Sequence, residues 1–234
     1  EAPHHCFWHY ETFENLKRRV GSKLGINTSG LTPYKLCDFK PTYGFLFSEI
    51  IEKYNWWAFG DIDVVLGNTN KFLGGLNQVD VLSFREEWVS GSLMIIKNTK
   101  LNNFLYRQID NWHDLLSETT HLGIDETSFC YDELRLKSIN EVEFPYDNFT
   151  RVIRDFERRG KMKSIFETRI KEYLHPNESI TASQRGVIDH ENKEYAYYHL
   201  VNEKKNYFFQ IDPISHDQFK FQYFDILFIL DIFA

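Results

Sequence analysis

The sequence predicts one α/β domain, or one such domain with appendages, from three observations. The 234 residues are 42% hydrophobic and 17% aromatic, which is enough to bury a large core. Residues 54–67 contain a continuous apolar and aromatic run that ends in two carboxylates, and such a run is typical of a strand buried on both faces. Around this run, segments with helical spacing alternate with short strand-like segments.

The chain before the central strand is predicted to be largely helical. Thr12 is a suitable N-cap for a helix over residues 13–24, and Gly25 is a suitable stop. Pro41 favours a kink or a restart, after which residues 42–54 have apolar side chains at helical spacing. This second helix is expected to lead directly into the central strand.

The rest of the chain is predicted to contain further strands and a helix. Residues 79–84 and 92–96 are short apolar runs between turn signals, and Thr99 is a suitable cap for the helix that follows. Residues 185–190 and 195–200 alternate around a polar turn, which indicates a C-terminal β-hairpin.

Asp61 and Asp63 give the sequence its clearest chemical signal. Side chains in a strand alternate between faces, so both carboxylates are expected on one side, where they repel unless a cation lies between them. Carboxylate oxygens at the carboxyl end of a buried strand suit Mg²⁺ or Mn²⁺. An acid pair on a solvated turn is the alternative. The uncharged flanking residues favour the metal site, because buried charges must be paired or coordinate a metal.

Other polar residues are candidates for binding a phosphate or a sugar. Lys35, Asp38 and Lys40 lie at a kinked helix start, for which a solvated helix face is the alternative interpretation. Ser90 and Gly91 are small residues at a strand entry. Such residues let the backbone approach a ligand, or they serve a tight packing bend.

Two acids and a histidine are candidates for catalysis and ligation. Asp125 and Glu126 are expected in the first turn of a helix, where the helix dipole favours acids. The functional alternative for them is a general base or an anchor for an acceptor hydroxyl. His199 is expected on the second hairpin strand, before Lys204 and Lys205, as a metal ligand or as a hydrogen-bonded core residue.

Composition argues against several classes of function. The net charge of −7 and the pI of about 5.7 argue against a general nucleic-acid binder. Three cysteines without a C-x-x-C pair fit a reducing cytoplasm rather than a disulfide framework. The sequence contains no apolar run of 18 residues, so no membrane span is predicted. The basic segment 151–171 is either a solvated helix face or a contact for an anionic lipid or polyanionic acceptor.

Five short segments of the sequence form a recognisable series. They are TPYKLCDFKPTYG at 32–44, WAFGDIDVVLG at 57–67, SGS at 90–92, DE at 125–126 and YAYYHL at 195–200. The series resembles a family of bacterial glycosyltransferases of the D-x-D type with a GT-A-like fold. That resemblance implies a nucleotide-diphospho-sugar transferase fold, with a mixed, mostly parallel sheet flanked by helices and a C-terminal β-hairpin.

The resemblance implies a role for each candidate residue. In GT-A enzymes the D-x-D pair and a late histidine hold a divalent metal on the donor diphosphate, which implies Mn²⁺ or Mg²⁺ at Asp61, Asp63 and His199. Asp125 or Glu126 matches the acid near the acceptor, as a base if the reaction inverts the anomeric centre or as an orienting group if it retains it. The implied donor contacts are Lys35, Asp38, Lys40, Ser90, Gly91, Lys204 and Lys205.

The resemblance also implies the reaction and its setting. A sugar would move from a nucleotide-sugar donor, a UDP-sugar foremost, to a glycan or lipid-linked acceptor in the cytoplasm, with contact at the inner face of the membrane as an option. Two rivals are a non-catalytic GT-A-like binding or scaffold protein and a metal-dependent phosphohydrolase. One domain is expected over 1–234, with the donor and metal core in 1–150 and a region that completes the site in 151–234.

One departure from the family is expected to affect the sheet. Family members begin with a strand and a loop that bind the nucleoside, and this sequence resembles them only after that unit. The sheet is therefore expected to lack a central strand.

Overall fold

The computed structural model describes residues 9–175, 178–183, 186–202 and 226–231. This part of the chain is a mixed α/β structure with three small sheets. Its strands are β1 (Trp56–Asp61), β2 (Val64–Leu66), β3 (Val81–Ser83), β4 (Leu93–Lys97), β5 (Ser164–Phe166), β6 (Ile170–Lys171), β7 (Ile180–Ser183), β8 (Gly186–Asp189), β9 (Glu194–Tyr195), β10 (Tyr197–His199) and β11 (Ile226–Asp231).

The helices are short apart from the first and the last. The α-helices are α1 (Phe13–Leu24), α2 (Tyr43–Leu46), α3 (Ser48–Ile51), α4 (Lys100–Asn103), α5 (Trp112–Ser117), α6 (Tyr131–Leu136) and α7 (Phe149–Arg158). The 3-10 helices are Tyr34–Thr42, Thr69–Phe72, Leu76–Gln78, Leu105–Gln108 and Ile139–Glu141. Within the described ranges, none of these helices has the length and hydropathy needed to cross a bilayer.

The largest sheet has five strands in the order β11-β1-β4-β3-β5. β1 is parallel to β11 and antiparallel to β4, while β3 is antiparallel to β4 and parallel to β5. The sheet is therefore mixed, as predicted, but with two parallel and two antiparallel pairs it is not mostly parallel. The connection from β3 to β4 is short, and a short connection suits antiparallel neighbours. β11 lies beside β1 at the edge of this sheet, and the expected lack of a central strand stays a prediction.

The first helix forms as predicted. The side chain of Thr12 accepts a backbone N–H of the first turn at 3.2 Å, and Gly25 ends the helix with a φ of 72°. Leu16, Val20 and Leu24 are buried on one face. The helix therefore packs through the apolar stripe that the sequence shows.

The two later helices that the sequence predicts are divided. A 3-10 helix occupies Tyr34–Thr42, and α2 and α3 follow it instead of one long helix. The restart after Pro41 agrees with the prediction, because proline cannot supply the backbone N–H that a continuous helix needs. The helix predicted after Thr99 is likewise divided into α4, a 3-10 turn and α5.

Side chains of β1 alternate between two hydrophobic cores. Trp57 and Phe59 are buried in the core that the helices cover. Trp56 and Ala58 face the opposite side, where Tyr197 of β10 joins them. The central strand is therefore buried on both faces, as its apolar run predicts.

The second sheet, in the order β2-β10-β6, brings the C-terminal part of the chain to the end of β1. β8 and β9 form an antiparallel hairpin, but β10 leaves that hairpin and pairs antiparallel with β2. The predicted strand 195–200 is therefore divided between two sheets. In the pairing of β10 with β2, His199 lies opposite Val64.

Candidate functional site

The turn after β1 carries the two aspartates. β1 ends at Asp61, Ile62 and Asp63 form a turn, and β2 begins at Val64. The two acids therefore do not share one face of a continuous strand, and that part of the prediction is wrong. The backbone carbonyl of Asp63 accepts the N–H of Leu200 at 2.9 Å, which ties the turn to the end of β10.

The structure brings His199 to both aspartates. Its Nε2 atom lies 3.5 Å from Oδ2 of Asp61 and 3.4 Å from Oδ1 of Asp63. The ligand atoms of the three side chains lie within 4.8 Å of one another. Two atoms that bind one cation at about 2.1 Å are roughly 3.0–3.4 Å apart, so small shifts would let this group hold a divalent ion.

The surroundings of His199 favour a neutral, oriented imidazole. Burial lowers the pKa of His199 below its ordinary value, an effect larger than the opposing one of Asp61 and Asp63. Its Nδ1 atom lies 3.2 Å from a carboxylate oxygen of Glu172, whose other oxygen pairs with Arg85. A proton on Nδ1, held by Glu172, leaves the Nε2 lone pair facing the aspartates.

Lys40 supplies a fixed positive charge beside Asp61. Its ammonium lies 2.5 Å from Oδ1 of Asp61 and donates to the carbonyl of Gly91 at 3.0 Å. Burial opposes the charge, but Asp61 and Asp125 raise the pKa of Lys40 above its ordinary range. One oxygen of Asp61 therefore binds Lys40, while the other faces His199.

Ser90 and Gly91 lie in the loop before β4. The hydroxyls of Ser90 and Ser92 each lie 2.8 Å from the hydroxyl of Tyr197, which joins the loop to β10. The N–H of Gly91 donates to Glu126 at 2.5 Å, and a Cβ on Gly91 would lie 2.8 Å from that carboxyl carbon. Glycine at this position is therefore explained by the close approach of Glu126.

Asp38 is a buried anchor rather than part of a solvated helix face. Lys35, Asp38 and Lys40 are at most 2% exposed, so the alternative of a solvated face is wrong. The carboxylate of Asp38 accepts the ammonium of Lys35 at 2.9 Å and the N–H groups of Leu122 and Ile124 at 2.8 and 3.0 Å. Asp38 thus fixes the loop after α5 to the 3-10 helix.

His121 joins Asp38 and Asp125 in a second group that the sequence did not single out. Its Nε2 atom lies 3.5 Å from one oxygen of each carboxylate. Burial raises the pKa of Asp125 to about 6. Burial opposes a charge on His121, yet Asp125 and Asp38 raise the pKa of His121 above its ordinary value. The only local signal in the sequence was a histidine four residues before an aspartate.

The two candidate acids for the acceptor side lie in a turn. α6 begins at Tyr131, so Asp125 and Glu126 are outside its first turn and the helix dipole does not explain them. The second carboxylate oxygen of Glu126 accepts the hydroxyl of Tyr131 at 2.6 Å. The candidate diphosphate contacts Lys204 and Lys205 lie outside the described residues.

The basic segment 151–171 is partly paired within α7 and just after it. Arg158 and Arg159 both bind Asp155, at 2.5 and 2.8 Å. This internal pairing favours the solvated helix face over a contact with a polyanion.

Comparison with known proteins places the chain in a family without assigning an activity. Residues 1–226 match DUF6625, a family of unknown function, and the chain belongs to that family. Searches of curated proteins and of solved structures gave no match. The function must therefore be argued from the site itself.

Proposed function

We propose that this member of the DUF6625 family is a metal-dependent glycosyltransferase with a GT-A-like fold. It would move a sugar from a nucleotide-sugar donor, a UDP-sugar foremost, to a glycan or lipid-linked acceptor in the cytoplasm. The observation that carries the proposal is the group of Asp61, Asp63 and His199, whose ligand atoms lie within 4.8 Å of one another. A Mn²⁺ or Mg²⁺ ion bound there would supply positive charge to the diphosphate leaving group.

The exposure of this group supports a site that receives a ligand. The side chains of Asp61 and Asp63 are each 18% exposed, and that of His199 is 10% exposed. A cation held by three protein ligands at such a depth keeps coordination positions for phosphate oxygens or water. Glu172 contacts His199 and Lys40 contacts Asp61, so these two ligands would be oriented before a donor binds.

The lysines of the proposed site would have two different roles. The ammonium of Lys40 is already bound to Asp61 and to the carbonyl of Gly91, so it balances the charge of the acid pair. The candidates for binding the diphosphate directly are Lys204 and Lys205. Ser90 and Gly91 are buried next to this charge, so they would support the wall of the donor pocket rather than contact the donor.

Glu126 is better placed than Asp125 to meet an acceptor. Glu126 is half-buried and its carboxylate holds the N–H of Gly91, beside the proposed donor pocket. In an inverting reaction it would take the proton of the acceptor hydroxyl, and in a retaining reaction it would orient that hydroxyl. Asp125 is only 3% exposed, which leaves no surface for an acceptor.

Calorimetry with UDP tests the proposal. UDP should bind only when Mn²⁺ is present, and Asp63→Ala should abolish this binding. Asp114→Ala is a suitable control, because the carboxylate of Asp114 is 87% exposed on α5 and has no place in the group. Binding of UDP without metal, or unchanged binding by Asp63→Ala, would contradict the proposal. No binding at all would support the scaffold alternative, and release of phosphate without an acceptor would support the hydrolase.

A further inference from the structure

The group of Asp38, His121 and Asp125 leaves buried polar atoms unsatisfied. Both ring nitrogens of His121 and Oδ1 of Asp125 are buried without a hydrogen-bond partner in the described part of the chain. The two distances of 3.5 Å from Nε2 of His121 exceed the usual range for N–H···O bonds, about 2.7–3.2 Å. Buried polar atoms nearly always have a partner, and an atom between these side chains would satisfy Nε2 of His121 and Oδ1 of Asp125, though not Nδ1 of His121.

We propose that Asp38, His121 and Asp125 bind a second divalent cation, of the Zn²⁺ class, which pins the loop 121–129 to the 3-10 helix Tyr34–Thr42. The three ligand atoms lie within 4.8 Å of one another. In tetrahedral zinc sites with bonds of about 2.0–2.1 Å, ligand atoms are roughly 3.3–3.4 Å apart, close to the two observed distances. Water would take the fourth position. The proposal does not depend on a transferase activity.

The burial of the ligands favours Zn²⁺ over Mg²⁺. Asp125 is 3% exposed and the side chain of Asp38 is fully buried. Mg²⁺ prefers six oxygen ligands and usually keeps several waters, for which such a site has little room. One imidazole and two carboxylates match the ligand types that zinc accepts.

Contacts around the ligands hold them apart at a distance that suits a cation. Asp38 is fixed by Lys35 and by two backbone N–H groups, as described above. The ring of His121 packs edge-to-face against Tyr34 and Phe129, with centroids 4.8 and 5.3 Å away. These contacts fix the ring of His121 and the carboxylate of Asp38, so both side chains are oriented before a cation binds.

The competing account is a protonated His121 shared between two carboxylates. A charged imidazole would be expected to approach one carboxylate to about 2.7–2.9 Å, which is not observed. In the proposed site the cation replaces the proton of His121, and that proton passes to the buffer.

The backbone of the loop adopts an unusual conformation near the proposed site. Ser128 and Phe129 are consecutive non-glycine residues with φ of 52° and 67°. Such conformations persist where the surroundings hold them. The N–H of Ser128 already donates to the carbonyl of Gly123 at 2.7 Å, and a cation bound to His121 and Asp125, on the same loop, would add to that hold.

Zinc content gives a direct test on the full chain. After treatment with chelator and addition of Zn²⁺, native mass spectrometry should find two ions in the wild type, and one ion in either His121→Gln or Asp63→Ala. His113→Gln is the matched control, because His113 faces Asp114 in an exposed pair on α5, and it should keep both ions. The proposal is overturned if His121→Gln binds as much zinc as the wild type. Loss of the other ion in Asp63→Ala reports on the proposed metal centre separately.

A measurement on the unmodified protein covers the case in which His121→Gln fails to fold. Long-range ¹H–¹⁵N spectra should show that Zn²⁺ shifts the Nε2 signals of two histidines, assigned to His199 and His121. An unchanged His121 signal at saturating Zn²⁺ would overturn the second site, even if His199 responds.

Discussion

The two Asp–Asp–His groups have the same ligand types and nearly the same spacing, but they differ in access. In the first group, the side chains of Asp61, Asp63 and His199 are 10–18% exposed. In the second group, the side chain of Asp38 is fully buried and that of Asp125 is 5% exposed, while that of His121 is 12% exposed, close to the value for His199. The two groups therefore differ in the exposure of their carboxylates, which solvent reaches in the first group and hardly reaches in the second.

The lysines next to the two groups also differ in their surroundings. The ammonium of Lys40 balances the charge of Asp61 in a group that solvent reaches, so a cation can also bind to this group. Lys35 balances Asp38 where neither side chain is exposed. Two metal sites with similar ligands can thus have different roles. An exposed site can bind a further ligand, whereas a closed site stabilises the fold.

The largest expected difference concerns these two lysines. In the presence of chelator, Lys35→Met should lower the free energy of unfolding by about 3–5 kcal/mol, because it removes the lysine that balances the charge of the fully buried Asp38. Lys40→Met should cost about 1–3 kcal/mol, since Asp61 remains partly solvated, and Mn²⁺ should recover part of this loss. Urea denaturation measures both values. Equal costs, without recovery by Mn²⁺, would remove the distinction between the two groups.

Exchanging the two histidines in turn sharpens the comparison. His199→Gln should weaken Mn²⁺ binding by about 100-fold or more, because it removes a direct ligand of the proposed centre. His121→Gln should leave Mn²⁺ binding at the first group unchanged. Titration followed by the electron paramagnetic resonance of free Mn²⁺ gives both affinities. A similar loss in both variants would mean that the two groups act as one site.

Glu172 should have a smaller effect on the same affinity. Glu172→Gln weakens the hold on Nδ1 of His199, so Mn²⁺ affinity should fall by about 10-fold. Glu167→Gln is the control, because Glu167 is exposed and pairs with Arg169. The same titration applies, and an unchanged affinity in Glu172→Gln would show that the imidazole needs no such support.

The smallest expected effect concerns the hydroxyl network under the first group. Tyr197→Phe removes the hydroxyl between Ser90 and Ser92, which can still bond to each other at 3.1 Å. The free energy of unfolding should fall by about 1 kcal/mol. Urea denaturation checks this value. Mn²⁺ affinity should stay as in the wild type, and a large fall would place Tyr197 in the metal centre itself.

The sequence indicated the first group because its signals were local. Asp61 and Asp63 end a buried apolar run, whereas the predicted strand left His199 as a metal ligand or a core residue, and only the family resemblance favoured ligation. The reason given for the pairing of the acids was wrong, since a turn at Ile62 and Asp63 separates β1 from β2. Such a turn depends on the pairing of β2 with β10, more than 130 residues later, which no local pattern reveals.

The second group and the supporting residues could not be predicted in the same way. His121 meets Asp38 across 83 positions of the sequence, and Glu172 meets His199 from another strand end. Each carries the local appearance of an ordinary surface residue. The prediction of mostly parallel strands was wrong for a similar reason. The direction of a strand follows from tertiary pairing and not from the composition of that strand.

The placement of Mn²⁺ in crystals of the full chain is the most direct test of the proposed centre. Anomalous diffraction from crystals soaked in Mn²⁺ should show a peak at about 2.1 Å from carboxylate oxygens of Asp61 and Asp63 and from Nε2 of His199. With UDP added, the same peak should also contact the diphosphate. A peak bound by other residues, or no peak between these three side chains, would contradict the account.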